Sequence, residues 1–198
     1  MTDSLNAPAG VPIVSLASAS PRRSLLLDQI GIVHRVRPAP VDETALPNEM
    51  PRNYVLRRAE HKARRAWLHD ASLPVLAADT SVVLDGAIHG KPADRADALR
   101  MLGRLSGRVH EVLTAVALAT HVGIDVRLST SKVSMRSIGV AEREAYWSSG
   151  EPVGKAGAYA IQGIGARFIR RLEGSYSGVM GLPLFETCEL LRAHSIVE

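Results

Sequence analysis

The sequence lacks several features that define whole classes of protein. One cysteine, Cys188, stands in 198 residues, which excludes an intramolecular disulfide framework and any metal site made of cysteine alone. No apolar run approaches the roughly 20 residues that span a bilayer, and the N-terminus has neither the basic nor the apolar region of a signal peptide. We therefore expect a cytoplasmic protein with no membrane association.

Aromatic residues and several well-known catalytic motifs are also scarce or missing. Trp, Tyr and Phe make up 4% of the chain, too few for the stacking platforms that bind single-stranded nucleic acid. There is no G-x-x-x-x-G-K-[ST] phosphate loop, no G-x-S-x-G elbow and no His-x-x-x-His pair. Walker-type nucleotide binding, hydrolase-triad chemistry and a helical zinc site are thus disfavoured.

The chain carries a small excess of positive charge. Lys and Arg total 24 and Asp and Glu total 20, a net charge of +4 that favours an anionic ligand. With so few aromatic residues, a small phosphorylated molecule is favoured over a nucleic-acid polymer. We expect the arginines at 57–65 and 167–171 to be mostly solvated.

The pattern of apolar and polar residues predicts alternating strands and helices in the first half and two long strands in the middle. Ser20, Pro21 and Gly31 suit the N-cap, first turn and end of a helix. Half of the sixteen glycines lie between Gly150 and Gly181, where the backbone must turn unusually or approach another group closely. Predicted strands cover residues 11–17, 33–36, 74–84, 87–90, 111–121 and 125–138, and predicted helices cover 20–31, 53–68, 94–105, 142–149 and 183–193.

This order of elements predicts an α/β fold with a mixed sheet, because the long central strands follow each other as an antiparallel pair would. The length suits one domain covering residues 1–198, and we expect residues 1–10 to form a flexible tail.

The segment Ser18–Arg23 (SASPRR) is a candidate anion site. A loop that leaves a strand and enters a helix presents backbone N–H groups and the positive end of the helix dipole, and Arg22 and Arg23 add charge. The alternative is an ordinary helix cap with solvated arginines.

Asp79 interrupts an almost continuous apolar run, residues 74–84. A carboxylate in a buried strand is costly unless it is paired, hydrogen-bonded or bound to a metal, so Asp79 is a candidate catalytic residue. The alternative is an aspartate that opens a turn at the end of the strand.

Three further polar residues are ordinary when each is taken alone. Lys62 lies in a basic helical run and Lys91 in a GKP loop, where both suit a solvated surface. The amide of Gln162 both donates and accepts, which matches the N3–H and neighbouring carbonyl of uracil or thymine, but a glutamine between glycines also suits backbone capping.

Taken together, these segments resemble the Maf family of nucleoside triphosphate pyrophosphatases. The resemblance runs from about Val14 to Leu191 and rests on motifs in the family's order: SASPRR, VDET, EHKA, AADTSVVLDG with HGKP, LSGRVHEVLTAV, GEPVGKAGAYAIQGIGARFI and GSYSGVMGLPL. It implies a mixed, strongly twisted sheet with flanking helices that form two lobes around a deep cleft, an architecture related to inosine triphosphate pyrophosphatases. It also implies a homodimer.

The resemblance further implies the reaction and its residues. A nucleoside triphosphate and water give the monophosphate and pyrophosphate, with Asp79 as proton acceptor and a divalent cation, Mg²⁺ or Mn²⁺, as cofactor. Glu43 matches an acidic active-site position, so Glu43 and Asp79 are the candidate metal ligands. The positions that match phosphate contacts are Ser18, Arg23, Lys62 and Lys91.

Within the family, the dTTP/UTP pyrophosphatase branch is the most similar. Arg22, Thr80 and Gln162 match its pattern, whereas the 7-methyl-GTP branch tends to have an aromatic residue, Gln and Glu at these three positions. Ala160 departs from the family, which commonly has glycine there. The resemblance implies dTTP and UTP as substrates, together with modified pyrimidine nucleotides. The alternatives are a purine-directed pyrophosphatase, a non-catalytic septum-formation regulator and a nucleic-acid-binding module.

Overall fold

The computed structural model describes residues 10–42 and 44–198 of the chain. Residues 1–9, which make up most of the expected tail, and the candidate metal ligand Glu43 lie outside the described residues. Within the described ranges, no helix combines the length and the apolar character needed to cross a membrane.

The helices and strands follow the predicted order. The strands are β1 (Val14–Leu16), β2 (His34–Val36), β3 (Val75–Leu84), β4 (Ala87–His89), β5 (Val109–Thr120), β6 (Gly123–Met135) and β7 (Ile169–Glu173). The helices are α1 (Pro21–Gln29), α2 (Pro51–His69), α3 (Arg95–Leu105), α4 (Val140–Ser148), α5 (Tyr176–Met180) and α6 (Leu184–Ala193), with short 3₁₀ turns at Ala156–Ala158 and Ile164–Phe168. Of these, β7, α5 and the 3₁₀ turns lie in the glycine-rich segment, for which no element was predicted.

Local chemistry explains where the helices begin and end. Helix α1 starts at Pro21, whose missing N–H needs no partner in a first turn, and the chain leaves it through Gly31 at φ +72°. Helix α3 is capped by Asp94, whose carboxylate accepts a hydrogen bond of 2.8 Å from the backbone N–H of Asp97.

The described strands form one seven-stranded mixed sheet, which confirms the predicted fold class. Its order is β2-β1-β3-β5-β6-β7, and β4 pairs with part of β3. Strands β2, β1 and β3 are parallel, while β3 is antiparallel to β4 and β5, as β6 is to β5 and β7.

The sheet is open on one side of β3. Strand β1 pairs with β3 only as far as Leu16 opposite Leu76, and β4 begins to pair at Val82. Between these points, the described chain places no strand beside residues 77–81 on that edge. Side chains from both faces of β3 can therefore reach the gap, which lies beyond the carboxyl end of β1, where open α/β sheets bind ligands.

The apolar core divides into two lobes that share the long strands. In one lobe, the sheet is covered on one face by α1 and α6, which bury Leu26, Leu27, Leu190 and Leu191, and on the other face by α2. The second lobe packs the far ends of β3 and β5 against α3, Tyr146 and Phe168. The predicted two-lobed architecture is confirmed, and the open edge of β3 lies between the lobes.

Candidate active site

A cleft of about 770 Å³ opens between the two lobes. This volume is in the range of sites that bind small molecules and cofactors. The cleft is lined by every candidate site residue in the described chain: Ser18, Arg22, Arg23, Lys62, Asp79, Thr80, Lys91 and Gln162. The fold thus brings together positions that are up to 144 residues apart in the sequence.

Asp79 lies in the middle of β3 and is only 6% exposed. Its Oδ1 accepts hydrogen bonds from Lys62 Nζ at 2.5 Å and from Arg58 Nε at 3.1 Å. These two partners are four residues apart on α2 and therefore share a helix face. The interpretation of Asp79 as a turn-opening residue is wrong, since the strand continues to Leu84 and the carboxylate is held by two cations.

The second oxygen of this carboxylate is differently placed. Within residues 10–42 and 44–198, no hydrogen-bond partner contacts Asp79 Oδ2, although Asp79 lines the cleft. One oxygen of Asp79 is therefore anchored while the other remains available to a ligand or a water molecule.

Arg58 is a functional candidate that the sequence analysis missed. The expectation that the arginines of this helix are mostly solvated is wrong for Arg58, which is 1% exposed and also donates to the backbone carbonyl of Asp42 at 3.0 Å. The signal was its position four residues before Lys62, but only the packing of α2 on β3 shows that this face is buried.

The cations of the cleft act on one another. Burial lowers the pKa of Lys62, the charge of Asp79 opposes this effect, and Arg23 and Arg58 lower it further. Arg58 and Lys62 thus share one carboxylate, and Arg23 lies near enough to act on the charge of Lys62. A polyanion bound in the cleft would offset their mutual repulsion.

Arg23 is held by acceptors from three parts of the chain. Its guanidinium donates to Ser18 Oγ at 3.0 Å, to Thr80 Oγ1 at 3.3 Å and to the carbonyl of Gly181 at 2.7 Å. Ser18 Oγ also accepts from the backbone N–H of Ser20 at 3.2 Å. The alternative of a solvated arginine is therefore wrong for Arg23, which is fixed against the cleft wall.

Arg22 is fixed by the C-terminal end of α5. Its Nε donates to the carbonyl of Met180 at 3.2 Å, and burial lowers the pKa of Arg22 from its very high ordinary value. Met180 and Gly181 thus supply neighbouring carbonyls to neighbouring arginines, and Gly181 adopts φ +124°, which favours glycine. This positioning role of the GSYSGVMG segment was not predicted.

Thr80 lies on the floor of the cleft, between the apolar clusters of the two lobes. It is directly opposite Thr114 on β5, and the two hydroxyl oxygens are 3.1 Å apart. Thr114 Oγ1 also donates to the carbonyl of Gly178 at 2.7 Å. A polar pair in this position interrupts the apolar face and connects Arg23 to the middle of α5.

Gln162 and Lys91 lie at the rim of the cleft. Gln162 is exposed and shares the outer mouth with Arg22 and Lys155. Lys155, which the sequence analysis did not select, donates to the carbonyl of Val153 at 3.1 Å, and burial and the charge of Arg22 lower its pKa. Lys91 is exposed and follows β4.

Two remaining expectations concern the backbone and a metal. Ala160 lies outside the left-handed region, so alanine in place of the family's glycine needs no strained φ.

The described ranges contain no cluster of three or more His, Cys, Asp or Glu side chains suited to a metal. Mg²⁺ is commonly held by one or two carboxylates together with substrate phosphates, so Asp79 alone is compatible with a substrate-bound ion.

The sequence and the structure were compared with known proteins. A dTTP/UTP pyrophosphatase of Bordetella avium is 55% identical over 194 residues, covering 93% of this chain and 96% of that protein. A protein with the same name from Methylobacillus flagellatus is 52% identical, covering 90% of this chain and 91% of its own length. One from Nitrosomonas europaea is also 52% identical and covers 96% of this chain and 97% of its own length. Among solved structures, a nucleoside-triphosphatase / dITP/XTP pyrophosphatase of Mycobacterium abscessus overlaps partly, with 18% identity, a TM-score of 0.41 and coverage of 69% of this chain and 94% of that one.

The family comparison covers almost the whole described fold. The model of the family described as Maf-like protein matches residues 13–194, from the residue before β1 to the residue after α6. The chain therefore belongs to the Maf family.

Proposed function

We propose that this protein hydrolyses dTTP and UTP, and modified pyrimidine nucleotides of similar shape, to the monophosphate and pyrophosphate. The names of its relatives support this reaction. The observation that carries the proposal is how Asp79 is held: Oδ1 is anchored by Lys62 and Arg58, while Oδ2 has no hydrogen-bond partner among the described residues.

The cations of the cleft are proposed to bind the triphosphate. Ser18, Arg23, Lys62 and Lys91 line the same cleft, and Arg23 is already fixed by three acceptors. A fixed guanidinium loses little conformational freedom on binding, so charge and position contribute most of the catalysis, as in other phosphoryl displacements.

Asp79 is proposed to take a proton from the attacking water. The water oxygen forms a bond to the α-phosphorus, and the bond from this phosphorus to the bridging oxygen breaks. The electron pair of that bond leaves with pyrophosphate, and the proton of the water passes to Asp79 Oδ2. Lys62 and Arg58 hold the carboxylate in place during this step.

A divalent cation, Mg²⁺ or Mn²⁺, is proposed to bind in the cleft with Asp79 and Glu43 as its protein ligands, of which Asp79 lies within the described residues. When bound, the ion would neutralise charge on the triphosphate. The two proposed roles of Asp79 are separable by measuring Mn²⁺ binding to Asp79→Asn in the presence of pyrophosphate. Retained binding with lost turnover supports the proton-acceptor role, and lost binding supports the ligand role.

Arg22, Thr80 and Gln162 are proposed to select the substrate. The Gln162 amide both donates and accepts, which suits the N3–H and adjacent carbonyl of a neutral pyrimidine. Gln162 and Arg22 lie together at the mouth of the cleft, while Thr80 lies on its floor.

The test is pyrophosphate release from dTTP, UTP, CTP, GTP and 7-methyl-GTP with Mg²⁺ or Mn²⁺. We expect dTTP and UTP to have the highest kcat/KM, by at least about tenfold, which corresponds to about 1.4 kcal/mol of discrimination. Faster hydrolysis of GTP or 7-methyl-GTP would instead support a purine-directed enzyme. Absence of hydrolysis, with strongly salt-dependent binding of DNA or RNA, would support a nucleic-acid-binding module.

We also propose that the chain is a single domain that acts as a cytoplasmic homodimer. Strands β3 and β5 run through both lobes, which supports one cooperative unit. We expect a single unfolding transition for one domain and a dimer mass by light scattering. We expect recovery of the protein in the cytosolic fraction.

A further inference from the structure

The segment that carries Gln162 is held by the carboxylate of Glu151. Glu151 Oε1 accepts hydrogen bonds from Tyr146 Oη at 2.6 Å and from the backbone N–H of Gly165 at 2.9 Å. Glu151 Oε2 accepts from the backbone N–H of Ile164 at 2.7 Å. One carboxylate therefore ties the far end of the segment to the chain that follows α4.

The near end of the segment is tied to the same group through Tyr146. The Tyr146 hydroxyl accepts a hydrogen bond of 3.1 Å from the backbone N–H of Ala160 while it donates to Glu151. Tyr146 is fully buried on α4 and stacks edge-to-face with Phe168, so it is a rigid support. Residues 160 and 164–165, on the two sides of Gln162, thus depend on one Tyr146–Glu151 pair.

The protonation states of Glu151 and Tyr146 suit these hydrogen bonds. Burial alone would raise the pKa of Glu151, but hydrogen bonds from Tyr146, Gly165 and Ile164 lower it overall, which keeps the carboxylate an acceptor. Burial, followed by the hydrogen bond to Glu151, raises the pKa of Tyr146, which keeps its hydroxyl a donor.

The glycines beside Gln162 are explained by the same carboxylate. A Cβ at Gly163 would lie 2.0 Å from Glu151 Oε2, and a Cβ at Gly165 would lie 2.6 Å from Tyr146 Oη and from the carbonyl of Ala160. Neither glycine has a positive φ, so the requirement is close approach rather than backbone conformation. The turn around Gln162 is therefore folded closely around the Tyr146–Glu151 pair.

We propose that Glu151 is a positioning residue that sets the pyrimidine preference by fixing the backbone from which the Gln162 amide reaches the base. This inference rests on the proposed function of Gln162. Gln162 is exposed, so the backbone that carries it sets the point from which its flexible side chain reaches the base. Glu151 lines the outer mouth beside Gln162 but not the cleft that holds Asp79, so its proposed effect on substrate choice passes through Gln162.

The test is a double-mutant cycle with Glu151→Gln and Gln162→Ala, in which kcat/KM is measured for dTTP and GTP. We expect Glu151→Gln to lower the dTTP/GTP ratio about tenfold, because an uncharged amide directs an N–H₂ group toward backbone donors. The double variant is expected to have the ratio of Gln162→Ala alone. The matched control is Glu144→Gln on α4, where the exposed carboxylate contacts Arg95 at 3.0 Å and the ratio is expected to stay unchanged.

Each outcome decides between the two claims. If Gln162→Ala lowers the ratio and Glu151→Gln does not, the positioning role of Glu151 is wrong and the role of Gln162 stands. If Glu151→Gln lowers kcat/KM for both nucleotides by one factor, its role is only structural and the inference is overturned. If Gln162→Ala leaves the ratio unchanged, both claims fail. Tyr146→Phe, which removes one hydroxyl, replaces Glu151→Gln in the cycle if that variant does not fold, with a smaller loss in the same direction.

Discussion

Replacing Asp79 by asparagine is expected to destabilise the protein as well as to stop turnover. The amide has almost the same volume and keeps an acceptor oxygen, but it carries no charge. Arg58, which is buried, and Lys62, which is partly buried, then lose the carboxylate that they share at 3.1 and 2.5 Å.

The size of the effect follows from the burial of this group. Removing one member of a buried ion pair typically costs about 3–5 kcal/mol, because the partner charge stays buried. For a chain of this length, a loss of about 3 kcal/mol lowers the Tm by roughly 6–12 °C. A domain with the usual stability of about 5–15 kcal/mol remains folded at the lower end of this loss.

The pH dependence of the loss is a second signature. Burial already lowers the pKa of Lys62 from 10.5, and the charge of Asp79 opposes this effect, so the variant lowers it further. A lysine whose pKa is lower in the folded state than in the unfolded chain destabilises the folded state, because the buried form is charged at a cost. The cost is full below the folded pKa and disappears as the pH rises to the unfolded pKa. The stability deficit of Asp79→Asn is therefore expected to shrink as the pH rises from 7 toward 10.5.

The assay is urea unfolding of the wild type and of Asp79→Asn at several pH values, with and without pyrophosphate. Pyrophosphate at 100 times its Kd is expected to add about 2.7 kcal/mol to the variant by binding only the folded state. The matched control is Asp85→Asn directly after the same strand, where φ is 51° and asparagine is well tolerated. It removes only an exposed ion pair with Arg108, which contributes little to stability. Equal stability of Asp79→Asn and the wild type at all pH values would refute the ion-pair reasoning.

Three further changes have expected outcomes. Arg23→Lys keeps the charge but loses the three-way contact of the guanidinium, so kcat/KM for dTTP is expected to fall by roughly 10- to 100-fold, and an unchanged value would contradict this role. Gly163→Ala is expected to lower the free energy of unfolding by more than about 1 kcal/mol, whereas Gly90→Ala, whose Cβ meets nothing within 4 Å, is expected to change it little. Burial, with the charge of His89, lowers the pKa of His110 from 6.5 to about 4. The folded protein therefore binds this proton less readily than the unfolded chain, and its free energy of unfolding falls as the pH drops from 6.5 toward 4. His110→Gln is expected to remove up to about 3 kcal/mol of that acid dependence in urea titrations, and an unchanged slope would refute it.

The sequence predicted the elements of the fold well where one physical signal dominated. The apolar run around Asp79 is buried on both faces, as its composition indicates, and Pro21 begins α1 while Gly31 follows its end, as predicted. Strand β7 was missed because its five residues lie inside the glycine-rich segment and have no alternating pattern of their own.

The site was predictable as a set of residues but not as a set of contacts. Asp79 was selected because a charge in an apolar strand needs a partner, yet the partners lie on α2, and only the packing of that helix on β3 identifies Arg58. The glycine content of residues 150–181 predicted close backbone approaches. The approached groups, Glu151 and Tyr146, became apparent only in three dimensions, because their contacts depend on the tertiary fold.

The most direct test of the proposed reaction is hydrolysis of dTTP in water enriched in ¹⁸O, followed by mass spectrometry of both products. Attack of water on the α-phosphorus predicts one ¹⁸O atom in the monophosphate and none in pyrophosphate. Label in pyrophosphate, or release of inorganic phosphate and a nucleoside diphosphate, would contradict the reaction that we propose for the cleft.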